Sequence, residues 1–149
     1  MTNTPSGFSG LGIAPKLLEA LTTGGFTTPT PIQAQAIPIA LEGKDVMGIA
    51  QTGTGKTLAF GIPMLQQLAK TNGIGLVVLP TRELALQVDE SIHRIGRTLG
   101  VRTAVLIGGA SMQNQIRDIR KKPHIYIVTP GRMNDHLEQR TVDLSHVEV

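Results

Sequence analysis

The stretch that decides the fold is Ala50-Gln51-Thr52-Gly53-Thr54-Gly55-Lys56-Thr57, which lies between an apolar run and a segment of helical composition. Gly53 and Gly55 let backbone N–H groups point at phosphate oxygens, because no Cβ stands in the way. Lys56 is expected to reach the β- and γ-phosphates of a nucleotide, and the Thr57 hydroxyl is expected to bind Mg²⁺. The stretch therefore has the pattern of a phosphate-binding loop, with alanine at the position of the usual first glycine.

Short apolar runs alternate with longer helix-like segments on both sides of this loop. Buried strands are predicted at residues 45–50, 74–79, 101–107 and 124–128, with a fifth strand beginning at 147–149. Helices are predicted at residues 16–22, 31–41, 56–70, 82–99 and 111–121. Strands and helices that alternate in this way form a parallel sheet covered by helices on both faces, so the predicted fold class is α/β.

The length and composition indicate one folded domain. A chain of 149 residues has the length of one domain, and we expect a flexible N-terminus at residues 1–10 and the domain at residues 11–149. The absence of cysteine excludes disulfide scaffolds, thiolate zinc sites and cysteine nucleophiles. Because no signal-peptide pattern and no apolar run of about 18 residues is present, we expect a cytoplasmic protein without a membrane partner.

Positive charge is concentrated in the second half of the chain. Residues 82–132 contain nine Lys and Arg against four Asp and Glu, whereas the whole chain has a net charge of +3. This asymmetry indicates a polyanionic partner, although a solvated basic face has the same composition. Because the chain has three Phe, one Tyr and no Trp, base stacking on an aromatic platform is disfavoured. A nucleic acid would therefore be held mainly by its backbone.

Nucleotide hydrolysis usually needs an acidic residue at the end of a second strand, in addition to the phosphate-binding loop. The predicted strands after the loop are followed by Pro80, Gly108 and Thr129, so none of these three leads into an acid. The strand that begins at residue 147 is the only one left for this role. We therefore expect the chain to bind a nucleotide without turning it over.

Five motifs resemble, in the same order, those of the first RecA-like domain of the DEAD-box RNA helicases. They are the Q motif at residues 25–33 with Phe8 as an upstream packing aromatic, motif I at 50–57, motif Ia at 80–85, the Gly108-Gly109 motif, and motif Ib at 129–132. The resemblance implies an ATP-dependent RNA helicase that locally unwinds or remodels RNA. It also implies that the Asp-Glu-Ala-Asp motif, the sheet neighbours of strand 45–50 and a second RecA-like domain lie beyond Val149.

The resemblance places ATP or ADP between the Q motif and the phosphate-binding loop. In the family, the residue that matches Gln33 reads the adenine, and the ring that matches Phe26 stacks on it. Taken alone, Thr30-Pro31-Ile32-Gln33 is equally a helix capping box, in which Gln33 returns to the backbone of Thr30. Lys56 and Thr57 are the predicted catalytic residues, with Thr57 as the Mg²⁺ ligand. The predicted nucleotide site consists of Phe26, Thr28, Gln33, Gln51, Thr52, Gly53, Thr54, Gly55, Lys56 and Thr57.

Arg82 and Arg132 are each predicted in the first turn of a helix, where a cation opposes the helix dipole by about 0.3–1 kcal/mol. A nearby phosphate reverses that sign, and the resemblance places both arginines in a groove that follows the RNA backbone independently of sequence. Thr81 and Thr129, which precede them, suit helix N-caps. The predicted RNA site consists of Pro80, Thr81, Arg82, Gly108, Gly109, Thr129, Pro130, Gly131 and Arg132.

Two alternative functions remain open from the residues. One is a nucleotide- or RNA-binding module without turnover, and the other is a different P-loop NTPase such as a DNA helicase. The Q motif and the lack of an aromatic platform speak against the second. A basic cluster ends one predicted helix, where cations are favoured by the dipole, and we interpret it as solvated surface. It consists of Arg117, Arg120, Lys121 and Lys122.

Overall fold

The computed structural model describes residues 7–51 and 55–149. Its helices are α1 (Pro15–Thr23), α2 (Pro31–Leu41), α3 (Lys56–Leu68), α4 (Arg82–Gly96), α5 (Met112–Arg120) and α6 (Pro130–Glu138). Its strands are β1 (Gly75–Val78), β2 (Thr103–Leu106) and β3 (Ile125–Val128). The predicted alternation of strands and helices is confirmed for these elements.

The three strands form one parallel sheet in the order β1-β3-β2. β3 lies in the middle and pairs with a neighbour on each side. The last residues of the chain extend the sheet beyond β1, because Val147 bridges Ile74 in parallel orientation and the Leu76 N–H donates to the Val149 carbonyl at 2.9 Å. The strand predicted to begin at 147–149 is therefore present as a short paired segment.

Side chains of the central strand alternate between two apolar cores. Ile125 and Ile127 face the larger core, which α1, α3 and α4 complete, whereas Tyr126 and Val128 face a smaller core beside α6. All four side chains are buried. A strand buried on both faces is continuously apolar, as is typical of parallel sheets. Helices therefore cover both faces of the sheet, as the sequence predicts.

Residues 45–50 do not form the strand that the sequence predicts. Their apolar side chains are open to solvent, since Met47 and Ile49 are each 89% exposed and Val46 is 43% exposed. A buried strand needs a neighbour with which its backbone N–H and C=O groups can pair. No strand within the described residues pairs with this segment. The prediction is wrong here because apolar composition gives only a tendency toward strand, whereas strand formation depends on pairing.

The predicted flexible N-terminus differs from the structure at residues 7–10, which lie against the domain. Phe8 is 1% exposed within the larger core, and the Gly7 N–H donates to the Thr27 carbonyl at 3.1 Å. Phe8 is therefore the packing aromatic that the sequence predicts. Residues 1–6 of the same predicted segment lie outside the described residues.

Two helices end earlier than the sequence predicts. α4 ends at Gly96, because its last turn tightens into the 3₁₀ turn Arg97–Leu99, after which Gly100 adopts φ +73°. α3 ends at Leu68 rather than at residue 70. The described helices are short, and none of them has the length and apolar character needed to cross a bilayer.

Candidate functional site

The phosphate-binding stretch leads directly into α3, as the sequence predicts. Gly55 is the N-cap of this helix and adopts φ +88°, a conformation that favours glycine. Lys56 is exposed at the first position of the helix, and its Nζ donates to the Ala50 carbonyl at 2.8 Å. The start of α3 therefore combines backbone N–H groups, the positive end of the helix dipole and a cation, and this combination suits a phosphate group.

The other residues predicted from this stretch differ in their surroundings. Thr57 is half-buried in the first turn of α3, and Gln51 is exposed. Thr52, Gly53 and Thr54 lie outside the described residues. Their contacts with phosphate stay predictions.

Gln33 joins the Q motif to the phosphate-binding loop. Its Oε1 accepts from the Thr30 N–H at 2.9 Å, and its own N–H donates to Thr30 Oγ1 at 3.4 Å, so the capping box of α2 is confirmed. Its Nε2 donates to the Gly55 carbonyl at 3.1 Å, and Gln33 as a whole is buried. Because an amide has two N–H donors and two lone pairs, one of each is left for an adenine. The adenine role of Gln33 stays a prediction.

Phe26 is half-buried, and Arg94 of α4 covers one face of its ring. The guanidinium carbon lies 4.4 Å from the ring centroid, and Arg94 Nη2 also donates to the Gly24 carbonyl at 2.8 Å. A cation above an aromatic ring is attracted by the negative face of the ring, so Arg94 holds Phe26 in place. Sequence reasoning missed Arg94, because no local pattern connects it with Phe26 or with Gly24, which is 70 positions away. Thr28, also predicted in this site, is exposed.

Arg82 and Arg132 approach one loop from two sides. That loop, residues 108–110, follows β2, and the two arginines lie in the helices that follow β1 and β3. Arg82 Nη1 donates to the Gly108 carbonyl at 3.4 Å, and Arg132 Nη1 donates to the Ala110 carbonyl at 2.9 Å. The carboxyl ends of parallel strands meet at one edge of a sheet, which is where ligands of open α/β sheets bind. The structure therefore brings the three predicted RNA motifs together.

Gly109 is favoured as glycine mainly by its left-handed backbone conformation. It adopts φ +78°, and a Cβ at this position would overlap Arg82 Nη1. The adjacent Gly108 has open space where a Cβ would stand. Of the two glycines of the motif, only Gly109 therefore has a structural reason to be glycine here.

The two predicted threonine caps differ. Thr81 Oγ1 accepts from the Leu84 N–H at 3.2 Å, which confirms it as the N-cap of α4. Thr129 stands at the N-cap position of α6, but its side chain makes no capping hydrogen bond, so this part of the prediction is wrong. Thr129 is buried, its N–H pairs with the Leu106 carbonyl at 3.1 Å, and Pro130 begins the helix with a preset φ instead. The remaining predicted RNA residues, all exposed, are Pro80, Pro130 and Gly131.

A buried polar network that the sequence does not single out lies behind Arg132. Gln115 Oε1 is 3.4 Å from Arg132 Nη1 and 2.7 Å from His136 Nε2. Burial lowers the pKa of His136 and the nearby Arg132 charge lowers it further, against a smaller opposite effect of Asp135, so the ring is neutral at pH 7. One sequence signal exists: Arg132 and His136 are four residues apart, which places them on the same face of α6.

Comparison with known proteins places this architecture in a family. Residues 30–149 match the family model described as DEAD/DEAH box helicase. The chain belongs to the DEAD/DEAH box helicase family. Among curated proteins, the ATP-dependent rRNA helicase RRP3 of Scheffersomyces stipitis is 57% identical over 135 residues, which cover 89% of this chain and 28% of that protein. The corresponding rrp3 of Emericella nidulans is 54% identical over 133 residues, covering 88% of this chain and 29% of its own length.

Solved structures of DEAD-box proteins have the same fold. A DEAD box protein from the hyperthermophile Methanococcus jannaschii superposes with a TM-score of 0.87 at 35% identity, over 96% of this chain and 40% of that one. A hypothetical ATP-dependent RNA helicase from Sulfolobus tokodaii gives 0.82 at 39% identity, over 89% of this chain and 39% of that one. The predicted family and the predicted RecA-like α/β fold are therefore confirmed. The present chain spans less than a third of the length of the two curated helicases described above.

Proposed function

We propose that this chain is the ATP-binding and RNA-backbone-binding part of an ATP-dependent RNA helicase that locally unwinds or remodels RNA. The observation that carries the proposal is the hydrogen bond from Gln33 to Gly55, because it sets a carboxamide suited to a base beside a loop suited to phosphate. The curated relatives are ATP-dependent rRNA helicases, which supports ATP as the nucleotide and ribosomal RNA as the substrate class. A cytoplasmic location is our expectation from the sequence.

ATP suits the residues around the start of α3. Lys56, now paired with the Ala50 carbonyl, is proposed to bind the β- and γ-phosphates together with the first N–H groups of the helix. The amide hydrogen and lone pair of Gln33 that remain free are proposed to pair with the adenine. Arg94 and the larger core each cover part of Phe26, and the adenine is proposed to stack on the part of the ring that they leave exposed.

Mg²⁺ is proposed to bind the Thr57 hydroxyl, which lies in the first turn of α3 beside Lys56. The ion would neutralise charge on the phosphates. Strands β1, β2 and β3 are not followed by an acidic residue, so the chain is proposed to bind ATP without hydrolysing it.

Titration calorimetry with ATP and ADP on the 149-residue chain tests the nucleotide part. We expect Lys56→Ala to abolish binding, because it removes the cation at the phosphate site. Lys70→Ala, an exposed lysine beyond the other end of α3, serves as the control and should bind as the wild type does. Phosphate release should equal that of buffer. Wild-type affinity in Lys56→Ala would overturn the proposed site, and Lys56-dependent phosphate release would overturn the proposed lack of turnover.

A salt titration of single-stranded RNA binding tests the RNA part. Contacts of Arg82 and Arg132 are proposed to be with phosphate and sugar rather than base edges. Arg132→Ala should weaken binding to poly-U, poly-A and a mixed oligomer by a similar factor, and should lower the slope of log K against log salt by about 0.7. Arg120→Ala, at the exposed end of α5, makes the same change of charge and should retain the slope. A loss confined to one sequence, or an unchanged slope in Arg132→Ala, would contradict the backbone contact.

A further inference from the structure

The guanidinium of Arg132 is held by hydrogen bonds to a loop carbonyl and to a buried side chain. The Arg132 side chain is 15% exposed, and its Nη1 has two acceptors, the Ala110 carbonyl at 2.9 Å and Gln115 Oε1 at 3.4 Å. Asp135 Oδ2 lies 3.6 Å from Nε. The other terminal nitrogen, Nη2, has no partner within the part of the chain that the structure describes. The Nη2 edge of the guanidinium therefore remains for a phosphate, and the contacts of Nη1 and Nε orient that edge.

Gln115 can be oriented in one way only. Its Nε2 lies 2.8 Å from the Ile107 carbonyl, which accepts hydrogen bonds and never donates them, so the amide nitrogen must face Ile107. Oε1 is thereby directed at two donors, Arg132 Nη1 and His136 Nε2. Gln115 is 3% exposed, so its partners are protein groups rather than solvent.

His136 completes the arrangement, because Gln115 Oε1 can only accept. The ring must carry its proton on Nε2 to donate over 2.7 Å, which leaves Nδ1 as an acceptor. The one proton of the Thr141 hydroxyl has two acceptors in reach, Nδ1 at 2.7 Å and the His136 carbonyl at 3.1 Å, and the shorter distance favours Nδ1. His136 is fully buried. Within the described residues no buried side-chain polar atom lacks a partner, so the network is fully satisfied. A directed chain of hydrogen bonds thus runs from Thr141 through His136 to the oxygen that receives Arg132.

We propose that Gln115 and His136 are positioning residues for the contact between Arg132 and an RNA phosphate. This inference rests on the proposed RNA-binding function. Gln115 and the Ala110 carbonyl hold Nη1 from two directions, so the guanidinium is oriented before RNA arrives. A side chain that is already ordered loses less conformational entropy on binding. Arg82 has no comparable support within the described residues, since its side chain is 55% exposed and makes one hydrogen bond of 3.4 Å.

The test compares His136→Leu with His136→Gln in the 149-residue chain. Leucine removes the Nε2 donor, whereas glutamine can return an N–H to a similar place. We expect His136→Leu to weaken single-stranded RNA binding about three- to tenfold, as for one lost hydrogen bond. Its salt slope should fall toward that of Arg132→Ala, and His136→Gln should recover most of the affinity and the slope. Thermal unfolding followed by circular dichroism identifies the folded variants. Thr141→Val, which removes only a hydroxyl at nearly constant volume, is the milder variant if His136→Leu does not fold, and it should weaken binding about twofold.

A double variant separates positioning from a general structural role. If His136 acts through Arg132, then Arg132→Ala with His136→Leu should bind RNA as weakly as Arg132→Ala alone. If the losses of RNA affinity in the two single variants multiply in the double variant, the inference is overturned. Wild-type affinity and salt slope in folded His136→Leu would also overturn it. Where His136→Leu does not fold, the same result in Thr141→Val would overturn it. An Arg132→Ala variant with unchanged RNA affinity would instead overturn the proposed function, because Arg132 would then have no RNA contact to be positioned for.

Discussion

The nucleotide side of this chain and its RNA side are held by different kinds of contact. On the nucleotide side, which we define as residues 30–51 and 55–57, segment 45–50 pairs with no strand among the described residues. Its Val46, Met47 and Ile49 side chains are exposed, and Lys56 donates to the Ala50 carbonyl. On the RNA side, residues 80–82, 108–110 and 129–132, each loop follows a paired strand and each arginine donates to the loop after β2. The difference shows which motifs depend on distant partners.

Motifs whose hydrogen-bonding groups pair with neighbouring residues in the sequence are formed on the nucleotide side and on the RNA side, at Thr30 and at Thr81. The capping box of Thr30 and Gln33 needs only four consecutive residues, and it is complete although the neighbouring segment 45–50 is not a strand. A strand, in contrast, leaves its N–H and C=O groups unsatisfied until another strand lies beside it. The RNA side has its strand neighbours within the described residues, and segment 45–50 has none.

The largest expected effect comes from truncating two isoleucines, one in the strand that leads into the RNA side and one on the nucleotide side. Ile127 in β3 is fully buried, and Ile49 is 89% exposed. Ile127→Ala should lower the free energy of unfolding by about 2–5 kcal/mol, because it removes buried apolar contacts and leaves a cavity. Ile49→Ala should change it by less than about 0.5 kcal/mol. Urea denaturation followed by circular dichroism measures both values, and equal losses would show that segment 45–50 is packed in solution.

The fold could be predicted from the sequence wherever local pattern and pairing agree. The run Ile125–Val128 is apolar throughout and is the central strand, as a doubly covered parallel strand should be. The apolar run at 45–50 gives a similar local signal, but whether it pairs is decided by residues far away in the chain. Local periodicity does not contain that information.

The candidate site divides in the same way. The start of α3 and the N-cap at Thr81 follow from short motifs and could be placed from the sequence. The support of Arg132 by Gln115, and of Phe26 by Arg94, could not, because each pair is joined by tertiary packing between separate elements. Residue type alone gave Arg132 a charge and a helix position, but not the contacts that orient it.

Two glycines with left-handed backbone provide a matched test of the nucleotide side. Gly55 and Gly43 have φ of +88° and +81°, so alanine at either costs about 1–2 kcal/mol in backbone strain. At Gly55 the added Cβ would also overlap Gln33 Nε2 and stand 2.9 Å from Thr30 Oγ1, whereas at Gly43 it would meet no atom within 4 Å. Gly55→Ala should therefore lose about 1 kcal/mol more than Gly43→Ala, as for a lost cap, and only Gly55→Ala should weaken ATP binding. Urea denaturation measures the stability of both variants, and calorimetry measures their ATP binding. Equal stability losses and equal ATP affinities in the two variants would contradict this prediction.

A matched glycine pair on the RNA side should give a smaller loss. Gly109→Ala introduces strain of about 1–2 kcal/mol, and its Cβ displaces the Arg82 guanidinium, which is exposed and can move aside. The loss of stability should therefore stay close to the strain alone, while RNA affinity falls because Arg82 leaves the Gly108 carbonyl. Gly108→Ala, with open space around its Cβ, should leave stability unchanged and should lower RNA affinity less than Gly109→Ala does. An equal loss of RNA affinity in both variants would show that Arg82 is not the residue affected.

The smallest expected effect is a dependence of stability on pH that arises from two histidines, one in α6 and one at the amino end of β3. Burial lowers the pKa of His136 in α6 and of His124 just before β3, and the charges of Arg132 and Arg102 lower them further. An unfolded histidine takes up a proton near pH 6.5, whereas these folded rings stay neutral to lower pH. The unfolded state therefore binds more protons as the pH falls below about 6.5, and the free energy of unfolding falls until the folded pKa values are passed.

Urea denaturation at about pH 7.5, 6.5 and 5.5 measures this dependence above the range in which most carboxylates titrate. The wild type should lose stability steadily across the lower half of that interval. His136→Gln and His124→Gln should each flatten the curve, because each removes one group whose proton is taken up only on unfolding. If the wild-type curve were flat, or if His136→Gln and His124→Gln both kept its full slope, these two rings would not have the lowered pKa that their surroundings indicate.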